Sequence, residues 1–135
     1  FLDTDVIISS LLSKKGASYE LIKNPKIKKI ISKSVKEEVE DVSKREKIKL
    51  REVKETTRKL KVISLNLTKK KLLETYLSYV HDEEDSHVVA GAQISKSKFL
   101  LTHNLRHYKK DMIEKDFGIL VMEPGKFLQY LRSQN

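Results

Sequence analysis

Phe1-Leu2-Asp3-Thr4-Asp5-Val6-Ile7-Ile8-Ser9-Ser10-Leu11-Leu12 opens the chain and decides how the rest of it is read. Two apolar residues lead into Asp3, and a carboxylate at the end of a buried apolar strand is costly to desolvate unless a metal or a partner compensates it. Beyond it, Val6-Ile7-Ile8 begins a helical stretch. A strand that gives way to a helix at an acid is the unit of an open α/β sheet, in which ligands bind beyond the carboxyl ends of the strands.

The rest of the chain repeats that alternation of short apolar runs and amphipathic stretches, the pattern of a parallel sheet with helices on its faces. Strands are expected near Phe1–Asp3, Ile27–Ile31, Lys61–Leu65, Lys98–Thr102 and Ile119–Met122. Helices are expected near Val6–Ser13, Ser18–Ile22, Val35–Arg45, Leu50–Leu60, Lys69–Tyr79, Asp85–Ser97 and Pro124–Leu131. With 135 residues and no repeat or linker, the chain reads as one α/β domain. It begins at Phe1 rather than Met, so part of the first strand is expected to precede it.

Lys and Arg number 28 against 19 Asp and Glu, a net charge of +9, which suits a polyanionic partner and also suits a merely solvated surface. The absence of cysteine excludes disulfides, a thiolate zinc site and a Cys nucleophile, and fits a reducing cytoplasm, the expected location. No apolar run reaches the roughly 20 residues that span a bilayer, so no membrane partner is expected. The lysine-dense middle, Lys23 to Lys71, reads as two charged helices with solvated outer faces.

Helical phase selects among the acids. Val35, Val39 and Val42 share a face; Glu38 lies about 60° from its centre, while Glu37 points away. Glu38 is the inward candidate. Asp85, in Asp82-Glu83-Glu84-Asp85-Ser86-His87-Val88-Val89-Ala90-Gly91-Ala92, sits over the Val88, Val89 and Ala92 stripe and is either an inward acid or a helix N-cap. Carboxylates gathered from separate segments on a basic protein suit Mg²⁺ or Mn²⁺ and point to phosphate chemistry.

These stretches resemble the motifs of the PIN domain ribonucleases. Leu2-Asp3-Thr4-Asp5 and the apolar run after it look like the family's opening motif. Ile31-Ser32-Lys33-Ser34-Val35-Lys36-Glu37-Glu38-Val39 is similar to the second acidic motif. The segment around Asp85, followed by Phe99-Leu100-Leu101-Thr102-His103-Asn104, looks like the third, and Gly118 to Leu128 matches the usual last strand and helix. The resemblance implies a three-layer α/β/α sandwich around a mainly parallel sheet of about five strands, and cleavage of single-stranded RNA with Mg²⁺ or Mn²⁺. Many relatives are VapC-type toxins held by a small antitoxin, often as homodimers.

Carried over, Asp3, Glu38 and Asp85 take the catalytic, metal-holding positions. In Thr102-His103-Asn104-Leu105-Arg106-His107-Tyr108 a fourth acid is replaced by Asn104, which would still offer the metal a carbonyl oxygen but adds no negative charge. Asp5 stands where Asn is common; it either restores charge as a further metal ligand or caps the helix at Val6. Thr4, Ser9 and Thr102 would orient the carboxylates through their hydroxyls, and Arg106, His107 and Lys109 would hold RNA phosphates.

Two other readings stay open. A PIN-like module that binds RNA or protein without cutting is encouraged by Asn104. A haloacid dehalogenase-like phosphatase is loosely suggested by Asp3-Thr4-Asp5 with Thr102, Asp111 and Asp116, but it leaves Glu38 and Asp85 without a role. His103 and His107 have the spacing of a zinc pair without the intervening Glu. His81-Asp82 faintly suggests an all-helical phosphohydrolase, which the strand pattern opposes. The absence of a Gly-x-Ser-x-Gly elbow and of a Gly-rich phosphate loop removes serine hydrolases and P-loop nucleotide hydrolases.

Overall fold

At Asp3 the chain stops pairing as strand and becomes helix, because the Asp3 carboxylate accepts the Thr4 amide proton at 2.7 Å and so caps Thr4–Leu12 (α1). A computed structural model describes residues 1–134. After Ala17–Lys23 (α2), Ile30–Ser32 (β1) runs directly into Lys33–Arg45 (α3), with Ser32 accepting from the Val35 amide at 3.1 Å. Leu50–Thr57 (α4) returns the chain to Lys61–Ile63 (β2). Lys69–Tyr76 (α5) and two short 3-10 turns lead to Ser86–Ile94 (α6) and Phe99–Leu101 (β3). Lys110–Phe117 (α7), Leu120–Met122 (β4) and Pro124–Ser133 (α8) complete the described residues.

The fold is α/β with parallel strands, as the sequence pattern requires. The expected five-stranded sheet is corrected: β1 pairs with β2 and β3 with β4, giving two two-stranded sheets. Phe1–Asp3 runs between them. Leu2 N–H donates to Ile30 C=O at 3.0 Å, and on the other side Leu101 N–H donates to Phe1 C=O at 2.9 Å. Three residues complete only the single Leu2–Leu101 bridge before Asp3 turns the chain into α1, so no ladder forms there. In place of a sandwich around one sheet, α3 packs on β1 and β2, α6 on β1 and β3, and α7 on β4.

Two further differences have local causes. The strand expected at Ile27–Ile31 starts at Ile30, because residues 24–29 form a turn in which the buried Lys29 ammonium donates to the carbonyls of Ile22 and Asn24, each at 2.7 Å. That cation closes the carboxyl end of α2, where the helix dipole favours it. The sequence pattern showed no helix at Lys110–Phe117, since only Ile113 of α7 is buried. The helix is held instead by Phe117 packing against Tyr79, the rings tilted by 45° with centroids 4.6 Å apart, and by the Tyr79 hydroxyl donating to Asp116 at 2.6 Å.

One core runs under both sheets, with Val6, Ile7, Ile31, Val35, Val39, Val88, Val89 and Leu100 fully buried. Helices as short as these are marginal alone, and each such side chain supplies about 1.5–3 kcal/mol by leaving water. Gly91 permits the closest approach: a Cβ there would overlap the ring of Phe1, so α6 lies against the first residues only because the position is glycine. This fixes the start of α6, and Asp85 before it, beside Asp3. Among the described residues no helix is long and apolar enough to cross a membrane.

Candidate active site

Asp3 is buried, with 8 % of its surface exposed, and its carboxylate is held from three sides. Oδ1 accepts from the Thr4 amide at 2.7 Å; Oδ2 accepts from the Thr102 hydroxyl at 3.0 Å and the Tyr108 hydroxyl at 2.6 Å. Burial, and then the charge of Asp3, push the Tyr108 phenol well above its ordinary value, so it stays protonated and donates. Both lone pairs of Oδ2 are engaged, which leaves Oδ1 the freer oxygen.

Asp5 lies in the first turn of α1 and does not cap it, since the helix begins at Thr4 and Asp3 is the cap. Its carboxylate ties down the segment after β3 instead. It accepts from the Asn104 side-chain amide at 2.7 Å, from the His103 backbone N–H at 3.2 Å and from the Thr102 hydroxyl at 3.2 Å. Thr102 has one proton to share between Asp3 and Asp5, and its oxygen accepts from the Asn104 N–H at 3.0 Å. Burial, then the neighbouring Asp3 charge, hold the Asp5 carboxyl above the usual range.

Glu38 faces the same cleft from α3, as its helical phase requires, while Glu37 is exposed. Oε1 accepts from the Thr4 hydroxyl at 2.7 Å, and Oε2 lies 3.2 Å from His87 Nε2. Burial works to raise the Glu38 carboxyl; the bond to His87, that ring's charge and the bond from Thr4 together outweigh it and hold it below its usual value. His87 is raised in turn: burial disfavours the imidazolium, but Glu38 dominates. A counterforce remains at His87 Nδ1, which is buried without a partner and would carry an unsatisfied proton in the charged ring.

Asp85 occupies the N-cap position of α6 but makes no capping hydrogen bond. Its Oδ2 lies 3.3 Å from His107 Nδ1. Burial first, and the Asp3 charge second, raise its carboxyl to about 6. Asp3 and Asp85, far apart in sequence, therefore act on each other. A carboxyl raised in the folded protein binds protons more tightly there than in the unfolded chain, so it lowers stability as pH rises from the ordinary 3.8 through about 6. Asp85→Asn should remove that dependence. Thermal melts of both proteins between pH 4 and 7 are expected to show the variant gaining on wild type as pH rises; parallel curves would mean Asp85 is not raised.

Together Asp3, Thr4, Asp5, Glu38, Asp41, Arg45, Asp85, Asn104 and His107, with Ile8 and Val42, line a cleft of about 420 Å³. Four expected contributors fall outside the lining: Thr102, which is buried behind it and donates to Asp3 and Asp5, Ser9, which makes no hydrogen bond to the carboxylates, and Arg106 and Lys109 in the segment after β3. His107 is brought in because that segment pairs with Val80 through Tyr108, and His81 N–H donates to His107 C=O at 3.0 Å. Asp111 lies exposed on α7 and Asp116 is bound to Tyr79, so the acids a phosphatase would need stand away from Asp3. His103 Nε2 pairs with the Ser18 hydroxyl at 2.7 Å while His107 turns to Asp85, so the two do not form a zinc pair.

Sequence reasoning assigned no role to Tyr108, His87 or Arg45. Arg45 carried a legible signal: it lies seven residues after Glu38 on the same helix face. Tyr108 and His87 carried none, because their contacts depend on how the segment after β3 and helix α6 meet.

The donor set, carboxylate oxygens backed by hydroxyls, is of the kind a hard divalent cation takes. As the side chains stand, two of the carboxylates are engaged by His87 and His107, and no three His, Asp or Glu among the described residues approach closely enough to enclose an ion. The chemistry of the donors fits such a cation, and the cleft is open rather than closed around one.

No curated protein matches the chain. The sequence profile described as the PIN domain matches residues 1–106, which include every acid of the cleft and the segment through Asn104. That match covers most of the chain, and the chain belongs to the PIN domain family, whose members are in general nucleases.

Proposed function

We propose that this chain is a metal-dependent endoribonuclease that hydrolyses phosphodiester bonds of single-stranded RNA, with Asp3, Glu38 and Asp85 as the residues that would hold Mg²⁺ or Mn²⁺ and Asp5 beside them. The observation that carries this reading is that acids from α1, α3 and the start of α6 line one cleft, where the charge of Asp3 raises Asp85. Acids kept together against their mutual repulsion call for a compensating cation. When bound, such a cation activates a water and neutralises charge developing on the phosphate.

The chain's own groups have distinct tasks. Thr4, Thr102 and Tyr108 orient the Asp3 carboxylate, and His87 and Thr4 orient Glu38 towards the cleft. His107 sits at the exposed rim against Asp85. The reading extends to a toxin held by a small antitoxin and acting as a homodimer. Growth arrest relieved by the product of a small adjacent open reading frame would support that extension.

A second reading, a PIN-like module that binds RNA or protein without cutting, is favoured by Asn104, whose side-chain amide donates to Asp5 at 2.7 Å and adds no charge for a metal. One experiment separates the readings. Unstructured RNA is incubated with the protein in Mn²⁺ and, in parallel, in excess chelator. The nuclease cuts only in Mn²⁺. RNA that stays bound and intact in both would establish the binding module, and turnover of small phosphomonoesters in preference to RNA would restore the phosphatase.

A further inference from the structure

Arg45 ends α3, seven residues after Glu38, and that spacing places it on the same stripe of the helix about 10 Å further along the axis. It is the only Lys or Arg among the residues lining the acidic cleft. Among the described residues it makes no ion pair, although Asp41 stands one turn before it and lines the same cleft. By contrast Arg51, on α4, pairs with Glu55 at 3.5 Å, the usual fate of an exposed arginine four residues from an acid. A guanidinium on the wall of an anionic cleft, paired with none of its acids, is free to take an anion from outside. Its planar fork of donors matches a phosphate with two parallel hydrogen bonds, which an ammonium cannot reproduce.

We propose that Arg45 is the phosphate-binding residue of the cleft: it holds a backbone phosphate of the RNA neighbouring the one presented to Asp3, Glu38 and Asp85. The proposal rests on the nuclease reading for its substrate class. It gives the cleft a direction, with acids at one end of the α3 stripe and a cation at the other, so the strand lies along α3 rather than across it. The phosphate held by Arg45 is not the one cut. Arg45 therefore governs affinity and register, and reads no sequence.

The test uses a short fluorescein-labelled unstructured oligoribonucleotide. Its binding in EDTA is followed by anisotropy from about 50 to 200 mM salt, and its cleavage is followed in Mn²⁺. Arg45→Ala is expected to weaken binding about tenfold, and to lower the slope of log affinity against log salt by about 0.7, the value for one contact to a single strand. Arg45→Lys should keep that slope and lose part of the affinity. In Mn²⁺, Arg45→Ala should raise KM and leave kcat nearly unchanged. Arg51→Ala serves as the control, and thermal melts check that each variant folds.

If Arg45→Ala bound and cleaved as Arg51→Ala does, the proposal would be overturned, and cleavage by wild type would leave the nuclease reading standing. Wild type that fails to cut, while Arg45→Ala still loses affinity and slope, would sink the nuclease reading and keep the phosphate contact. A loss of melting temperature with affinity and slope unchanged would assign Arg45 to the helix dipole at the end of α3, against the proposal.

Discussion

Asp3→Asn is expected to lower RNA cleavage by at least about a hundredfold while leaving the protein folded. The loss follows from charge. Asp3 is the buried acid of the cleft, and the amide is close to it in shape but carries no negative charge to hold a cation. Folding survives because the change has two opposed effects. One amide group must replace a carboxylate that accepts from Thr4, Thr102 and Tyr108, which weakens those bonds. Against this, the repulsion that Asp3 exerts on Asp5 and Asp85 disappears. An independent readout follows from the second effect: the Asp85 carboxyl, raised to about 6 in part by the Asp3 charge, should fall towards its ordinary value in Asp3→Asn, measurable by NMR titration. Wild-type cleavage by folded Asp3→Asn would remove Asp3 from catalysis. An unmoved Asp85 would mean that the two acids do not act on each other.

What the sequence revealed, and what it hid, divides along physical lines. Periodicity carried the parallel α/β character and the inward phase of Glu38, because both depend on spacings within one element. It could not show that Phe1–Asp3 would complete one bridge and no ladder, since pairing depends on where its neighbours stop. Helix α7 was hidden because Ile113 is its only buried residue, so the apolar signal was too thin. Asp85 was ambiguous between cap and cleft acid; the choice is made by His107, which reaches it from the segment after β3. Asp5 was ambiguous for a similar reason, because Asp3 already caps α1 and leaves Asp5 to the Thr102–Asn104 segment. Motif spacing brought out the acids themselves. The groups that fix their rotamers, Tyr108 and His87, emerge only once the chain is folded.

The sharpest test of the helical-phase argument is the pair of adjacent glutamates. Glu38→Gln is expected to reduce cleavage by about a hundredfold or more, and Glu37→Gln to stay within about twofold of wild type. The residues are chemically identical and one position apart, so composition, local charge and helix propensity cannot distinguish them; only the direction in which α3 turns them can. Glu38 accepts from Thr4 at 2.7 Å and meets His87 at 3.2 Å, while Glu37 is exposed to solvent. The same variant alters the pH response. Glu38 is held low, so its contribution to stability is present above its ordinary 4.5 and lost as pH falls through its folded value. His87 is held high, so its contribution is present below its ordinary 6.5 and lost as pH rises through its folded value. The pair thus stabilises the fold most between 4.5 and 6.5, and the advantage of wild type over Glu38→Gln in thermal melts should peak there. His87 should titrate lower once the carboxylate is gone, because burial and its unpartnered Nδ1 are then opposed only by the charges of Asp3 and Asp85. Equal loss of cleavage at both glutamates would defeat the phase argument. A His87 titration indifferent to Glu38→Gln would defeat the contact on which the orientation of Glu38 depends.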